Sequence, residues 1–229
     1  MNRLVAVGDI HGQKDMLHRL LNMIQPTAHD QFIFLGDYVD RGSDSRGVLT
    51  RLMEFQDEFP HTVFLRGNHD QLLLDVLAGF GVRIDKVLEN PSIFNDRDEQ
   101  IRTLELFYRN GGQATLRSYQ LQEMKDFPLN HISFLESTRL WWTFENFIFT
   151  HAGIDPDIHL EDQDRHTLLW KRSSRPGRNG KIHVVGHCQT RDALPCFEQG
   201  RYVLDTGAGY GQNLTACDVL TRDYWQAKY

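Results

Sequence analysis

Six residues with the chemistry of metal ligands stand in short polar strings, each just behind an apolar run. Asp9 and His11 lie in GDIHG (8–12), Asp37 in GDYVDRG (36–42), and Asn68 in RGNHD (66–70). His151 follows in THAG (150–153) and His187 in VVGH (184–187). Carboxylate, imidazole and amide oxygen together suit Mn, Fe or Zn better than a thiolate-seeking metal. The neighbouring glycines let the backbone turn sharply and approach an ion closely. A lone histidine behind a strand is more often a packing or capping residue. Four histidines (His11, His69, His151, His187) and two aspartates in this arrangement are hard to obtain by chance. The other seven of the eleven histidines, His18, His29 and His131 among them, stand in no such string and are read as ordinary. Taken alone, RGNHD is equally well a strand-to-helix turn with Asp70 helping to start the helix. Its company decides for a site wall.

These strings need elements to position them. RLVAVG (3–8), QFIFLG (31–36) and HTVFL (61–65) read as strands. Residues 13–24 and 44–58 carry apolar side chains at helical spacing, and a third helix is expected from about Asp70 to Leu77. Strand, loop and helix thus alternate three times, as in a mainly parallel α/β sheet. Residues 79–130 break the rhythm: they are charged, contain a Gly-Gly pair and two helix-like patches, and predict a helical cap insertion. Strand-like runs return as FIFT (147–150), KIHVV (181–185), RYVL (201–204) and NLTACDVL (213–220). Those from 181 onward are short and turn-separated, which predicts hairpins and a second sheet. Ligands of open α/β sheets bind beyond the carboxyl ends of the strands. The five strings should therefore converge.

The ordered set GDIHG, GDYVDRG, RGNHD, HAG, GH closely resembles the signature of the calcineurin-like metallophosphoesterases. Within them it is similar to the PPP-type phosphoprotein phosphatases, above all the compact bacterial and bacteriophage forms. GDYVDRG is highly specific, the motifs span residues 8–187, and DTGAGYGQNLT (205–215) resembles the family's C-terminal strand region. The resemblance implies an α/β sandwich of two mixed β-sheets flanked by helices, formed by one domain over residues 1–229. It implies two divalent metal ions, Mn ahead of Fe or Zn. Asp9, His11 and Asp37 would hold the first; Asp37 would bridge to the second, held also by Asn68, His151 and His187. A hydroxide bridging the ions would attack phosphorus directly. Arg41 would clamp the phosphate, and Arg172 in LLWKR resembles the second clamping arginine, with Lys171 or Arg175 as the neighbours it could be confused with. His69 would be the general acid, oriented by Asp40.

This division of labour makes physical sense. Two ions about 3.5–4 Å apart stabilise both oxygens of an in-line displacement. Arginine binds phosphate oxygens bidentately and stays charged. A serine or threonine alkoxide leaves poorly, so a proton donor contributes roughly 10²–10⁴-fold. The implied activity is hydrolysis of phosphomonoesters on phosphorylated protein or peptide, phosphoserine and phosphothreonine first, with phosphotyrosine admitted. Asp70 stands where the phosphatase branch usually has Glu, and Asp there is common in the dinucleoside tetraphosphate hydrolases, so that substrate is the alternative. Cys188 follows His187 where a threonine is usual. A catalytically silent phosphate-binding regulatory protein is the rival of another class; it would need a degenerate site, whereas every ligand and acid position is filled.

Composition narrows the field further. With 229 residues, 40% hydrophobic, 24% charged and a net charge of −6, the chain has the balance of a globular protein and not of a nucleic-acid or anionic-membrane binder. The stretch KRSSRPGRNGK (171–181) has five positive charges. It is either a solvated loop or a source of positive potential beside the site. A nuclease would want a longer basic groove or base-stacking aromatics. None of Cys188, Cys196 and Cys217 has Arg at the sixth position after it, which excludes a cysteine-based phosphatase. The odd count without C-x-x-C predicts a reducing compartment, and no apolar stretch is long enough for a membrane span, so a cytoplasmic location is expected. DPDIH (155–159) follows HAG and not a strand, so it is set aside as an aspartyl-phosphate motif. GAGYG (207–211) leads into a strand and not a helix, and fails as a dinucleotide fingerprint. Oligomeric state is not legible.

Overall fold

The three N-terminal apolar runs are dry on both faces, and this decides the architecture. The computed structural model describes residues 2–84, 96–172, 180–198 and 200–229. In it β1 (Leu4–Val7), β2 (Gln31–Phe34) and β3 (Val63–Phe64) lie parallel. Val5 and Val7 join Phe32, Phe34 and Phe64 beneath α1 (Lys14–Ile24) and α2 (Ser45–Glu58). Leu4 and Ala6, pointing the other way, join Ile33, Leu35 and Val63 against a second sheet. Strands buried on both faces lose the polar alternation and read as continuous apolar runs.

The second sheet contains β4 (Trp141–Phe144), β5 (Phe147–Thr150), β6 (Ile182–Val185), β7 (Cys196–Glu198) and β8 (Arg201–Val203), in the order β4-β5-β6-β8-β7. Strands β5, β6 and β8 are parallel, with antiparallel β4 and β7 at the edges. Phe147, Phe149, Val184, Tyr202 and Leu204 fill the space between the sheets. Each fully buried side chain of this size contributes about 1.5–3 kcal/mol. This is the expected sandwich of two mixed sheets. The expected strand NLTACDVL (213–220) joins the first sheet and not the second, and the strand that follows it was not among those expected. β9 (Asn213–Asp218) and β10 (Tyr224–Lys228) complete the first sheet, in the order β10-β9-β1-β2-β3. Its apolar content fits either sheet; pairing with β1 decides.

Helix α3 (Asn68–Gly79) begins two residues before the expected Asp70, because Asp70 occupies the first turn and accepts the N–H of Gly67 at 2.9 Å. Between α3 and β4 the described residues form only helix and loop: α4 (Arg97–Arg109), α5 (Gly112–Tyr119), a 3₁₀ turn (Met124–Asp126) and α6 (Leu129–Ser137). The helical stretch thus runs past residue 130 to Ser137. Arg66 fastens it. This buried side chain donates to Thr138 Oγ1 (2.8 Å) and to the Leu135 carbonyl (2.5 Å). A short α7 (Arg165–Trp170) follows β5. No helix among the described residues is long and apolar enough to cross a membrane.

Candidate active site

The carboxyl ends of β1, β2, β3, β5, β6 and β8 meet at one small cavity, lined among others by Asp9, Asp37, Arg41, Asn68, His69, Arg172, His187 and Asp205. Four of the five polar strings line it, and His151 of the fifth stands directly behind, 2.9 Å from Asn68 Oδ1. The chain arrives there in a costly conformation. Among the described residues ten non-glycine positions have positive φ, and half belong to this site: His11 (48°), Asp37 (55°), Asp40 (72°), Arg41 (65°) and His187 (55°). Each left-handed residue costs about 1–2 kcal/mol, and such strain persists only where the surroundings over-determine it.

The surroundings do so here. The Asp37 carbonyl accepts the N–H groups of Ile10 and His11 (3.1 and 2.8 Å), and the His11 carbonyl accepts that of Gly42 (3.0 Å). The Asp70 carboxylate accepts three N–H groups, from Asp37 (2.8 Å), Tyr38 (2.9 Å) and Gly67 (2.9 Å), pinning the β2 and β3 loops together. Burial and the charge of Asp37 push Asp70 up to about 7, against the pull of those three bonds. Glycine is required at position 67, where a Cβ would collide with Asp37 Oδ1.

The histidines present lone pairs inward. His11 Nδ1 donates to the Val39 carbonyl (2.9 Å) and His151 Nδ1 to the Leu35 carbonyl (2.8 Å). Burial pulls both rings below the ordinary histidine range, so each is neutral with a bare Nε2. These Nε2 atoms stand 3.4 and 3.5 Å from the same oxygen, Asp37 Oδ2. His187, lowered to about 3 by burial and by His151, buries its Nε2 with no hydrogen-bond partner among the described residues. His151 Nε2 also faces Asn68 Oδ1 at 2.9 Å. Two acceptors in contact, an orphaned imidazole nitrogen and clustered carboxylates are what a shared cation reconciles. The residues fit the two-metal centre of the family pattern.

Among the described residues two compact donor groups share Asp37: His11, Asp37 and His69 on one side, Asp37, His151 and His187 on the other, with donor atoms within 4.8 Å in each. His69 thus takes a place in the first group where the family pattern implies Asp9. Both His69 nitrogens are engaged: Nδ1 by Asp40 Oδ2 (2.7 Å) and Nε2 by Arg41 Nη2 (2.9 Å). Asp9 accepts the His187 N–H (3.0 Å), and burial, Asp205 and Asp37 hold its pKa far above the carboxylate range, the mark of a carboxylate short of positive charge.

Burial alone would lower His69, but Asp37 and the bond to Asp40 outweigh it and hold the ring above the usual value. Arg41 reaches His11 Nε2 as well (2.8 Å) and lies 4.4 Å over the Tyr210 ring. Of the two other basic residues considered with Arg172, Lys171 turns to Asp155 (3.7 Å) and Arg175 lies outside the described residues, as do 173–179 of the basic stretch. Arg172 is exposed at the cavity rim, its carbonyl accepting from Cys188 Sγ (3.1 Å).

Sequence reasoning missed Asp205 and Tyr210. Asp205, behind β8, is pushed up to about 6 by burial. A polar string behind a strand was the available signal. Tyr210 sits in the GAGYG loop, rejected as a dinucleotide motif; Gly209 packs on His11 so closely that a Cβ would stand 2.6 Å from its ring.

The family model for calcineurin-like phosphoesterases matches residues 2–218. The chain is a calcineurin-like phosphoesterase. The phosphoesterase is 28% identical over 228 residues to serine/threonine-protein phosphatase 1 of Salmonella typhimurium, covering 93% of this chain and 90% of the relative. Among solved structures it is similar to a candidate diadenosine tetraphosphatase, with a TM-score of 0.66 and 19% identity over 98% of this chain and 92% of the other. It is also similar to a cold-active protein-tyrosine phosphatase of a psychrophilic Shewanella, with a TM-score of 0.61 and 14% identity over 99% and 80%. At such identities the structural likenesses show the shared fold.

Proposed function

We propose that this phosphoesterase is a metal-dependent phosphoprotein phosphatase that removes phosphate from phosphoserine and phosphothreonine. The observation that carries the reading is the convergence of Arg41 and the His69–Asp40 pair on the two donor groups that share Asp37. Asp9, His11 and Asp37 would hold one divalent ion, and Asp37, Asn68, His151 and His187 the other, with Mn the metal of first choice. Asp9 is preferred to His69 because Asp37 and the bond to Asp40 hold His69 toward its protonated form, whereas burial keeps His11 neutral and able to ligate. Bound there, the ions supply Lewis-acid activation of water and neutralise phosphoryl charge.

The chain's own groups do the rest. A phosphate dianion offers Arg41 better acceptors than two imidazole nitrogens, so substrate binding draws its guanidinium away from His69 Nε2. That nitrogen is then free to carry the proton its raised pKa favours. Asp40 holds Nδ1–H and fixes the ring, so Nε2 donates the proton to the departing alkoxide. Arg172, at the rim, adds a second positive charge for the phosphate. The relative from Salmonella, named a serine/threonine phosphatase, supports this substrate class.

One observation favours a second reading, hydrolysis of dinucleoside tetraphosphates: the aspartate at position 70, together with the likeness to a candidate diadenosine tetraphosphatase. Asp70 spends its carboxylate on three backbone N–H groups, so it shapes the loops and meets no substrate. The deciding experiment compares, with Mn, phosphoserine, phosphothreonine and phosphotyrosine peptides against a dinucleoside tetraphosphate. Phosphopeptides are expected to give the higher kcat/KM, and Arg41→Ala to lower phosphate release sharply. A tenfold or greater preference for the dinucleotide would overturn the substrate assignment.

A further inference from the structure

The helical stretch between α3 and β4 supplied no motif, yet one of its side chains enters the acid's hydrogen-bond network. Thr115, in α5, is fully buried. Its hydroxyl donates to Asp40 Oδ1 at 2.7 Å and accepts the Asp40 N–H at 2.8 Å. Ser45 Oγ lies 2.9 Å from Thr115 Oγ1 and 3.1 Å from the Asp40 nitrogen. The proton assignment is complete. Thr115 spends its single proton on the carboxylate, so Ser45 donates to Thr115. With Oδ1 taken, the carboxylate turns Oδ2 toward His69 Nδ1, 2.7 Å away.

The same segment also holds the next residue. The Gly111 carbonyl accepts the Arg41 N–H at 3.3 Å, and a Cβ on Gly111 would stand 2.9 Å from the Arg41 side chain. Asp40 and Arg41 are consecutive left-handed residues, and α5 with its entry turn contacts both. Strain of this kind must be held by neighbours, and here the neighbours lie some 70 residues away in the chain.

We propose that Thr115 is a positioning residue for the leaving-group acid: its hydroxyl fixes the Asp40 carboxylate so that His69 holds its proton toward the substrate. The inference rests on the phosphatase reading and deepens it. It makes the helical insertion part of the catalytic apparatus and not a cover over it. Hydrogen bonds to ionised groups are the strong class, so losing this one should lower kcat roughly ten- to hundredfold where protonation of the leaving group matters.

The test uses the Mn-loaded full chain with Thr115→Val, which replaces a hydroxyl by a methyl group of similar size, and Thr115→Ser, which restores the hydroxyl. On a phosphoserine peptide Thr115→Val should lose kcat with little change in KM. On p-nitrophenyl phosphate, whose leaving group needs no proton, its kcat should stay within about threefold of wild type. Thr115→Ser should recover most of the loss, and in a His69→Asn background Thr115→Val should have no further effect on the peptide. Equal losses on both substrates, or full activity on both, would overturn the inference.

A second readout, taken on the protein loaded with diamagnetic Zn in place of paramagnetic Mn, is independent of turnover. The downfield proton resonance of His69 Nδ1–H, identified by its absence in His69→Asn, should shift upfield or broaden in Thr115→Val and return in Thr115→Ser. An unchanged resonance overturns the role assigned to Thr115 whatever the substrate proves to be. Wild-type enzyme inert toward both phosphomonoesters would instead overturn the phosphatase reading, with the resonance still judging Thr115.

Discussion

His183 offers a pH test of the packing behind the site. It lies on β6, fully buried, with Nε2 2.7 Å from Thr150 Oγ1, one residue before the ligand candidate His151. The Thr150 hydroxyl spends its proton on the Ala152 carbonyl (2.5 Å), so Nε2–H of His183 is the donor in that pair. Nδ1 is then a bare lone pair, buried with no partner among the described residues. Protonating it would place a charge and an unmet N–H inside the sheet. Burial, aided by the positive charge of Arg201, lowers the ring to about 3. In the unfolded chain a histidine titrates near 6.5. Between these values the unfolded state binds a proton that the folded state refuses, so stability rises with pH across the window. Above pH 6.5 this contribution is constant. Below it, stability falls by about 1.4 kcal/mol per pH unit, which accumulates to about 2 kcal/mol between pH 7 and pH 5. His183→Gln keeps an N–H donor for Thr150 and removes the titration. Urea unfolding of both proteins at matched pH isolates the effect, because the other histidines contribute equally to each. The stability difference between wild type and variant should change by about 2 kcal/mol over that range, against the wild type at the acid end. Parallel curves would refute the reasoning and show that His183 is protonated in the fold or reaches solvent.

Other outcomes follow from the site itself. Asp37→Asn removes the one carboxylate common to both donor groups, so activity and bound metal should fall together, by phosphate release and by metal analysis of the same sample; full turnover in chelator would end the two-metal reading. His69→Asn should cost roughly 10²–10⁴-fold in kcat on an alkyl phosphate and much less on p-nitrophenyl phosphate, with metal content retained; equal losses would make His69 a ligand or a structural residue. Burial raises the thiols of Cys188, Cys196 and Cys217, the last to about 12. Little thiolate exists at neutral pH, so alkylation by iodoacetamide at pH 7 should leave turnover intact; loss that tracks modification of Cys188, checked by mass spectrometry, would show that its contact with the Arg172 carbonyl matters to the site.

Residue types and short-range spacing were enough to locate the strings. Asp9, His11, Asp37, Asn68, His151 and His187 each sit at a strand end because a dry strand and the polar turn behind it are both local patterns. For the same reason β1, β2, β5, α1 and α2 were legible nearly to the residue. Tertiary structure alone decided the rest. NLTACDVL carries the same apolar signal for either sheet, and only its pairing with β1 places it in the first. Asp70 looks like a helix-starting residue, yet it also binds N–H groups more than 30 residues away. The protonation of His11 and His151 follows from carbonyls of Val39 and Leu35 that no spacing rule connects to them. Thr115 has ordinary neighbours in the chain, and it acquires its place, as Asp205 and Tyr210 acquire theirs, through burial and contact across the fold. Desolvation and directed hydrogen bonds depend on distance in space, and distance in space is what a sequence pattern of period two or 3.6 does not carry.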